Sequence, residues 1–220
     1  RLFGNGAAEA LREVLEEAHV RMRSMCPKVL VLDGSYHGQS LGSRALLSSK
    51  KTGPLYAAMA RIEKVCVTHG NVEELEALLN QHTLRVPALI EEDGKVIRGE
   101  ANFSSIIAAI AEPVRGEGGI AVAPIELLHC LERRDFPLVL DEIQCGLGRT
   151  GTFLASQGVR GDYYVFAKAL GGGLAKIGAL LIEQTRYVPR FDEDYAATFA
   201  GDAFSCAIAE EVLDLIERDA

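Results

Sequence analysis

Residues 136–173 read FPLVLDEIQCGLGRTGTFLASQGVRGDYYVFAKALGGG. Two short apolar runs, PLVL and YYVF, each deliver a chemically capable side chain: Asp141 after the first, Lys168 after the second. Runs of this length bounded by turn formers predict strands buried on both faces, as in a parallel sheet with helices on either side. Working outward, KVLVLD (28–33), IEKVCVT (62–68), IIAAIAEP (106–113) and IGALLIEQ (177–184) read as four further strands. Helical periodicity falls between them. AAEALREVLEEAHVRMRSM (7–25) puts Leu11, Val14, Leu15 and Ala18 on one side, with Asn5 at an N-cap position. Further helices are predicted around 41–48, over VEELEALLNQH behind an Asn71 cap, over 124–134, and from about Ala203 to the end. Strands alternating with helices make an α/β fold, and neither a repeat nor a low-complexity linker divides it. One domain is expected over residues 1–220. Asp93-Gly94 between short apolar runs predicts a hairpin.

Composition closes several functional classes. The 220 residues are 48% hydrophobic and 25% charged, which are ordinary proportions for a globular chain. A formal charge of −8 and the lack of any Lys/Arg-rich run argue against nucleic acid. The five cysteines are scattered and never form Cys-x-x-Cys, so neither a disulfide framework nor a structural metal is expected, and a reducing compartment is. No apolar run reaches the roughly 18 residues of a membrane span. RLFGNGAAEALREV carries no basic-plus-apolar leader, so the expectation is a cytoplasmic protein without a membrane partner.

In an open α/β sheet the ligand crevice lies beyond the carboxyl ends of the strands. Those ends carry Ser35-Tyr36-His37-Gly38, then Glu112-Pro113-Val114-Arg115-Gly116-Glu117-Gly118-Gly119, then Asp141-Glu142-Ile143-Gln144, then Lys168 ahead of Gly171-Gly172-Gly173. The string Gly146-Leu147-Gly148-Arg149-Thr150-Gly151 matches a dinucleotide fingerprint literally. Its context does not: it stands four residues past its strand, opens no helix, and the acidic residue due about 20 positions on falls among glycines. Taken singly, each polar residue also has a plain reading. A lysine after a strand is usually a solvated charge, and an aspartate there is often a turn former. Cys145 has no histidine partner and reads as small filler.

The segments SYHG, EPVRGEGG, LVLDEIQCGLGRTG, AKALGGGL and ATFAGDAFSCAIA together resemble the class III (ω-) aminotransferases, from about Gly4 to the end. The resemblance implies the large domain of a fold-type I transferase dependent on pyridoxal 5′-phosphate. It further implies a homodimer with shared sites, moving an amino group from an amino donor (an ω-amino acid or amine) to a keto or aldehyde acceptor. Lys168 matches the lysine that holds the cofactor as a Schiff base, and Asp141 the aspartate on its pyridine nitrogen. Gln144 matches the residue that hydrogen-bonds the ring oxygen, and Tyr36 the stacked aromatic. Gly6, Ala7 and Ala8 match the turn whose free N–H groups receive the phosphate at a helix start. Thr198 matches a threonine that reaches the phosphate from the neighbouring subunit. Glu112 and Glu117 match acidic residues lining the site, and His37 is read as a hydrogen-bonding residue beside the cofactor.

The chain departs from the family pattern in places. Gly6-Ala7 replaces a more usual Ser-Gly, one extra residue stands near Ala175-Lys176, and Asp202-Ala203 replaces a common Asn-Pro. Residues 86–103 read as an insertion. Family members are about twice as long, so segments of a small domain are expected before residue 1 and after residue 220. An aminomutase or decarboxylase would use the same residues. A catalytically silent binding or assembly domain would not need Lys168, Asp141 and Gln144 together.

Overall fold

The computed structural model describes residues 7–47, 53–68, 71–117, 119–194 and 197–219. Its centre is a six-stranded sheet formed by β1 (Lys28–Leu32), β2 (Glu63–Val67), β5 (Ile106–Ala111), β8 (Leu138–Asp141), β9 (Tyr163–Phe166) and β10 (Ala179–Ile182). Across the sheet they run β2-β1-β5-β8-β9-β10, with all pairings parallel except the antiparallel edge β9–β10. The chain leaves β1 toward β2, then crosses back over β1 to lay down β5. The strand order therefore reverses between β1 and β5, which opens a crevice at their carboxyl ends.

The apolar runs build the core as their pattern requires. Leu30, Leu32, Val67, Leu138 and Leu140 are sealed under Leu75 of α4 (Val72–Gln81) and Leu127, Leu128 and Leu131 of α5 (Ile125–Glu132). Asn71 caps α4 by accepting the Glu74 N–H at 2.8 Å. A second cluster joins Phe166, Leu147 and Leu170 to Ala209 and Ile216 of α7 (Ala203–Asp219). Burial on both faces holds along β1, but Ile107 of β5 and Leu180 and Leu181 of β10 are exposed. Continuous apolarity overstated their covering. At Ile107 the β1–β5 register shifts by one residue, which takes that side chain out of the regular alternation.

The predicted hairpin forms from β3 (Thr83–Glu92) and β4 (Lys95–Ser104), with Asp93 at φ 51° and Gly94 at φ 73°. Two successive positive φ values are what a tight two-residue turn between right-twisted strands needs. The hairpin is a sheet of its own, and α1 (Ala7–Arg23) packs on it. Glu17 pairs with both Arg21 and Arg98, and Arg21 donates to the Arg85 carbonyl at 3.1 Å. Only Val14 and Ala18 of the predicted apolar side are buried; Leu11 and Leu15 remain exposed, because the helix covers itself with little beyond the hairpin. Asn5 lies outside the described residues.

Periodicity does not announce several short elements. These are α3 (Gly53–Ala60), the two-residue ladder β6 (Val114–Arg115) with β7 (Ala121–Val122), and α6 (Arg190–Asp194), whereas the helix predicted around 41–48 forms as α2 (Leu41–Leu46). No described helix is long and apolar enough to cross a membrane.

Candidate active site

The site grows from the strand ends on either side of the reversal. Past β1 the chain turns at once, the Ser35 N–H donating to the Leu32 carbonyl at 3.1 Å. That turn points the Tyr36 N–H across the crevice to Glu112 Oε2 at 2.8 Å, just beyond β5. Glu112 is buried, and the loss of water pushes its carboxyl above the usual carboxylate range. The Tyr36 and Gly116 N–H groups and His37 pull the other way, while Asp141 adds to the rise.

His37 reaches one strand further. Its Nδ1 lies 2.8 Å from Asp141 Oδ2, with both side chains almost wholly buried. A carboxylate only accepts, so with Asp141 ionised the proton sits on Nδ1. The other Asp141 oxygen, Oδ1, accepts the Ile143 N–H at 3.2 Å. Among the described residues, three buried side-chain polar atoms have no hydrogen-bond partner: Ser35 Oγ, His37 Nε2 and Arg115 Nε. All three belong to the segments leaving β1 and β5. Unpaired buried polar atoms are rare and costly, and their gathering here marks the crevice as the functional end of the sheet.

On the next strand, Asp141 pairs in register with Val165, and Lys168 follows three residues later. Lys168 opens a 3₁₀ turn, Lys168–Gly171, at φ 45°, a left-handed conformation uncommon for a side chain with a β-carbon. The turn is anchored by buried Leu170 and leaves the lysine exposed. Its Nζ donates to Gln144 Oε1. The Gln144 amide in turn rests against Gly116. Three strand-end loops thus meet at the lysine.

Glu142 is the residue that sequence reasoning passed over. It is sealed from solvent and accepts from the Ser156 N–H at 2.8 Å, the Ser156 hydroxyl at 2.6 Å and the Ala155 N–H at 3.1 Å. It therefore ties the end of β8 to the far end of the glycine-broken loop. The available signal was a second carboxylate directly after Asp141, ahead of a loop with no helix to hold it. Within that loop the GLGRTG string forms turns, with Leu147, Gly148 and Gly151 at positive φ, and opens no helix. The dinucleotide reading has no structural support. Cys145 is buried against Glu142, and its thiol is pushed up to about 12, chiefly by burial and then by that charge. Filler is an apt description.

A polar chain also fixes Tyr36 from outside. Gln39 Nε2 donates to the Tyr36 hydroxyl at 2.7 Å, Arg44 Nε donates to Gln39 Oε1 at 2.7 Å, and Arg44 stacks over the Tyr56 ring, 5.0 Å from its centre. The remaining predicted residues sit further off. Glu117 and Ala8 are exposed, and Gly6 lies outside the described residues. The contacts that hold α1, which starts at Ala7, run to the hairpin. Thr198 is exposed in a turn and lines a cleft of about 970 Å³ between β9, β10 and the start of α7. Ile143 and Ala167, the neighbours of Gln144 and Lys168, form part of the same wall.

The sequence profile of the family described as aminotransferase class III matches residues 4–220. The chain belongs to the class III aminotransferases. Ornithine aminotransferase 1 of Staphylococcus saprophyticus subsp. saprophyticus is 29% identical over 202 residues, covering 87% of this chain and 44% of that protein. The 5-aminovalerate aminotransferase of Pseudomonas putida is 30% identical, again over 87% of this chain and 44% of its own. Among solved structures, the ornithine aminotransferase of Toxoplasma gondii superposes with a TM-score of 0.68 at 21% identity. That match takes in all of this chain and 49% of the other, and shows a shared fold. The chain spans about half the length of the relatives it matches.

Members of this family work with pyridoxal phosphate, and the donor set suits that group. A buried carboxylate, oriented by an imidazole, faces the crevice where a pyridinium nitrogen needs a counter-charge. An exposed primary amine stands on the adjoining strand end with a side-chain amide against it, and a tyrosine follows the end of β1. Gly116 keeps open a space that a β-carbon would take from Gln144. The residues fit the cofactor.

Proposed function

We propose that the protein is a pyridoxal-phosphate-dependent aminotransferase, moving an amino group from an ω-amino acid or amine to a keto or aldehyde acceptor. The observation that carries this reading is the Lys168 amine on Gln144 beside the buried His37–Asp141 pair, on adjoining strand ends. The relatives act, by their names, on ornithine and 5-aminovalerate, each of which has an amino group remote from its carboxylate. When bound, the cofactor supplies an aldehyde to capture the amine and a cationic ring to draw electrons from the carbon beside it.

The chain's residues then have definite tasks. Lys168 Nζ would hold the cofactor and would be the base that accepts the proton of the donor's amine-bearing carbon. Asp141 holds the ring nitrogen protonated, and His37 holds Asp141 in the orientation to do so. Gln144 accepts from the lysine and would hydrogen-bond the cofactor's ring oxygen. Tyr36, fixed at both its N–H and its hydroxyl, offers a ring face for stacking. Glu112 holds the Tyr36 turn in place. The phosphate would be received by the turn that Gly6, Ala7 and Ala8 match, together with Thr198 of a second subunit.

In this reading residues 1–220 form the cofactor-binding large domain of a cytoplasmic homodimer. The free cysteines suit a reducing compartment. The test is direct. Adding pyridoxal phosphate should produce a yellow absorbance band, and borohydride should fix the cofactor on the peptide containing Lys168. Lys168→Ala should keep the fold and lose both. A label found on Lys176, or on no lysine, overturns the assignment.

A further inference from the structure

We propose that Gly116 is a positioning residue for Lys168, acting through Gln144. A β-carbon built on Gly116 would stand 1.9 Å from Gln144 Nε2, 2.7 Å from its Cδ and 3.1 Å from its Oε1. No side chain tolerates such contacts, so the amide lies where it does only because residue 116 is glycine. The backbone is not the reason. Gly116 has no φ in the left-handed region that favours glycine over alanine. Its N–H faces the Glu112 carboxylate, and that contact would survive the substitution.

The amide resting on Gly116 is the one whose Oε1 accepts from Lys168 Nζ. Gln144 is exposed, and its amide is the far end of a flexible side chain. A β-carbon would therefore evict the amide rather than shift the main chain. Lys168 would lose its hydrogen bond and the fold would stand. The loop after β5 thus sets the lysine after β9 by way of the glutamine after β8. The inference rests on reading Lys168 as the cofactor lysine, but its first test does not.

That test measures the reactivity of Lys168 toward trace acetic anhydride in the cofactor-free protein, by peptide mass spectrometry, with Lys176 as the internal reference. Gly116→Ala should raise Lys168 labelling about fivefold, the scale of one lost hydrogen bond. Gln144→Ala should raise it equally, and the double variant should show no further rise. In a second arm, pyridoxal phosphate is titrated into each protein and its absorbance followed. The two single variants should weaken binding by the same factor, without adding in the double. Unchanged labelling in Gly116→Ala, or additive effects in the double variant, overturns the proposal. Should Gly116→Ala fail to fold, recovery of folding in the double variant upholds the clash, and continued unfolding defeats it. A parent that binds no cofactor sinks the proposed function alone, since the labelling arm still reads the Gly116–Gln144–Lys168 relation.

Discussion

At the scale of single residues, the site is a set of polar groups held against their solvation preferences. Glu112 is the clearest case, since burial raises its carboxyl above the ordinary range. The folded chain therefore holds that proton to higher pH than the unfolded chain does. Its contribution to stability is present at low pH and is lost as pH rises through the folded value. Glu112→Gln keeps an oxygen for the Tyr36 N–H and removes the titration. The variant should gain melting temperature over the parent as pH rises from about 4 to about 8. Melts across that range check it, and a constant difference refutes it. Glu142 matters through its hydrogen bonds, since its oxygens accept from the Ala155 N–H, the Ser156 N–H and the Ser156 hydroxyl. Glu142→Ala would strand two N–H groups and a hydroxyl, at a cost of about 2–5 kcal/mol measured by denaturant unfolding. Cys145, with its thiol near 12, holds roughly one thiolate in ten thousand at about pH 8. Iodoacetamide should spare it while modifying the exposed Cys206, as peptide mapping would report. Asp141→Asn removes the charge held by His37 and should lower turnover on the order of a hundredfold while leaving cofactor retention nearly intact. Unchanged turnover would remove Asp141 from the ring nitrogen.

At the scale of elements, what the sequence makes legible is what a run of five to ten residues decides by itself. PLVL and YYVF end where Asp141 and Lys168 need them, and Asp93-Gly94 turns the hairpin. Asn71 caps its helix. What stays hidden depends on partners far along the chain. No local pattern reveals that Glu142 closes a loop through Ser156, or that Gln144 rests on Gly116, 28 positions earlier. Exposure is hidden for the same reason: α1 carries a good apolar stripe, yet Leu11 and Leu15 are exposed because, among the described residues, the helix packs chiefly on the hairpin. The segment from 186 to 202 reads as an arm with little regular pattern, and among its described residues the structure shows the short helix α6 ahead of the Thr198 turn. Candidate residues could be named from strand ends, but the second layer that holds them could not.

At the scale of the whole molecule, β10, the Thr198 turn and the segments beside them carry several exposed apolar residues. Leu181 and Val188 are more than half exposed, Phe204 is 67% exposed and Phe199 is 82% exposed. Isolated apolar residues on a surface mean little, but a partner chain covering this side would bury them. The proposed homodimer would give those residues an occupant, and in it the Thr198 hydroxyl would meet the phosphate of the neighbouring chain's cofactor. A two-fold axis would then make two equivalent sites, each completed by the other subunit. Thr198→Val, nearly isosteric, removes the hydroxyl without altering the surface. It should leave the mass in solution at that of the dimer and weaken pyridoxal phosphate binding about tenfold, the scale of one charge-assisted hydrogen bond. Phe199→Glu tests the other half. A carboxylate forced into the interface should shift the population toward monomer and weaken the cofactor along with it. Sedimentation and cofactor titration on the same samples separate the outcomes. A monomeric parent, or a Phe199→Glu monomer that holds the cofactor as tightly as the parent, means that the site is complete within one chain.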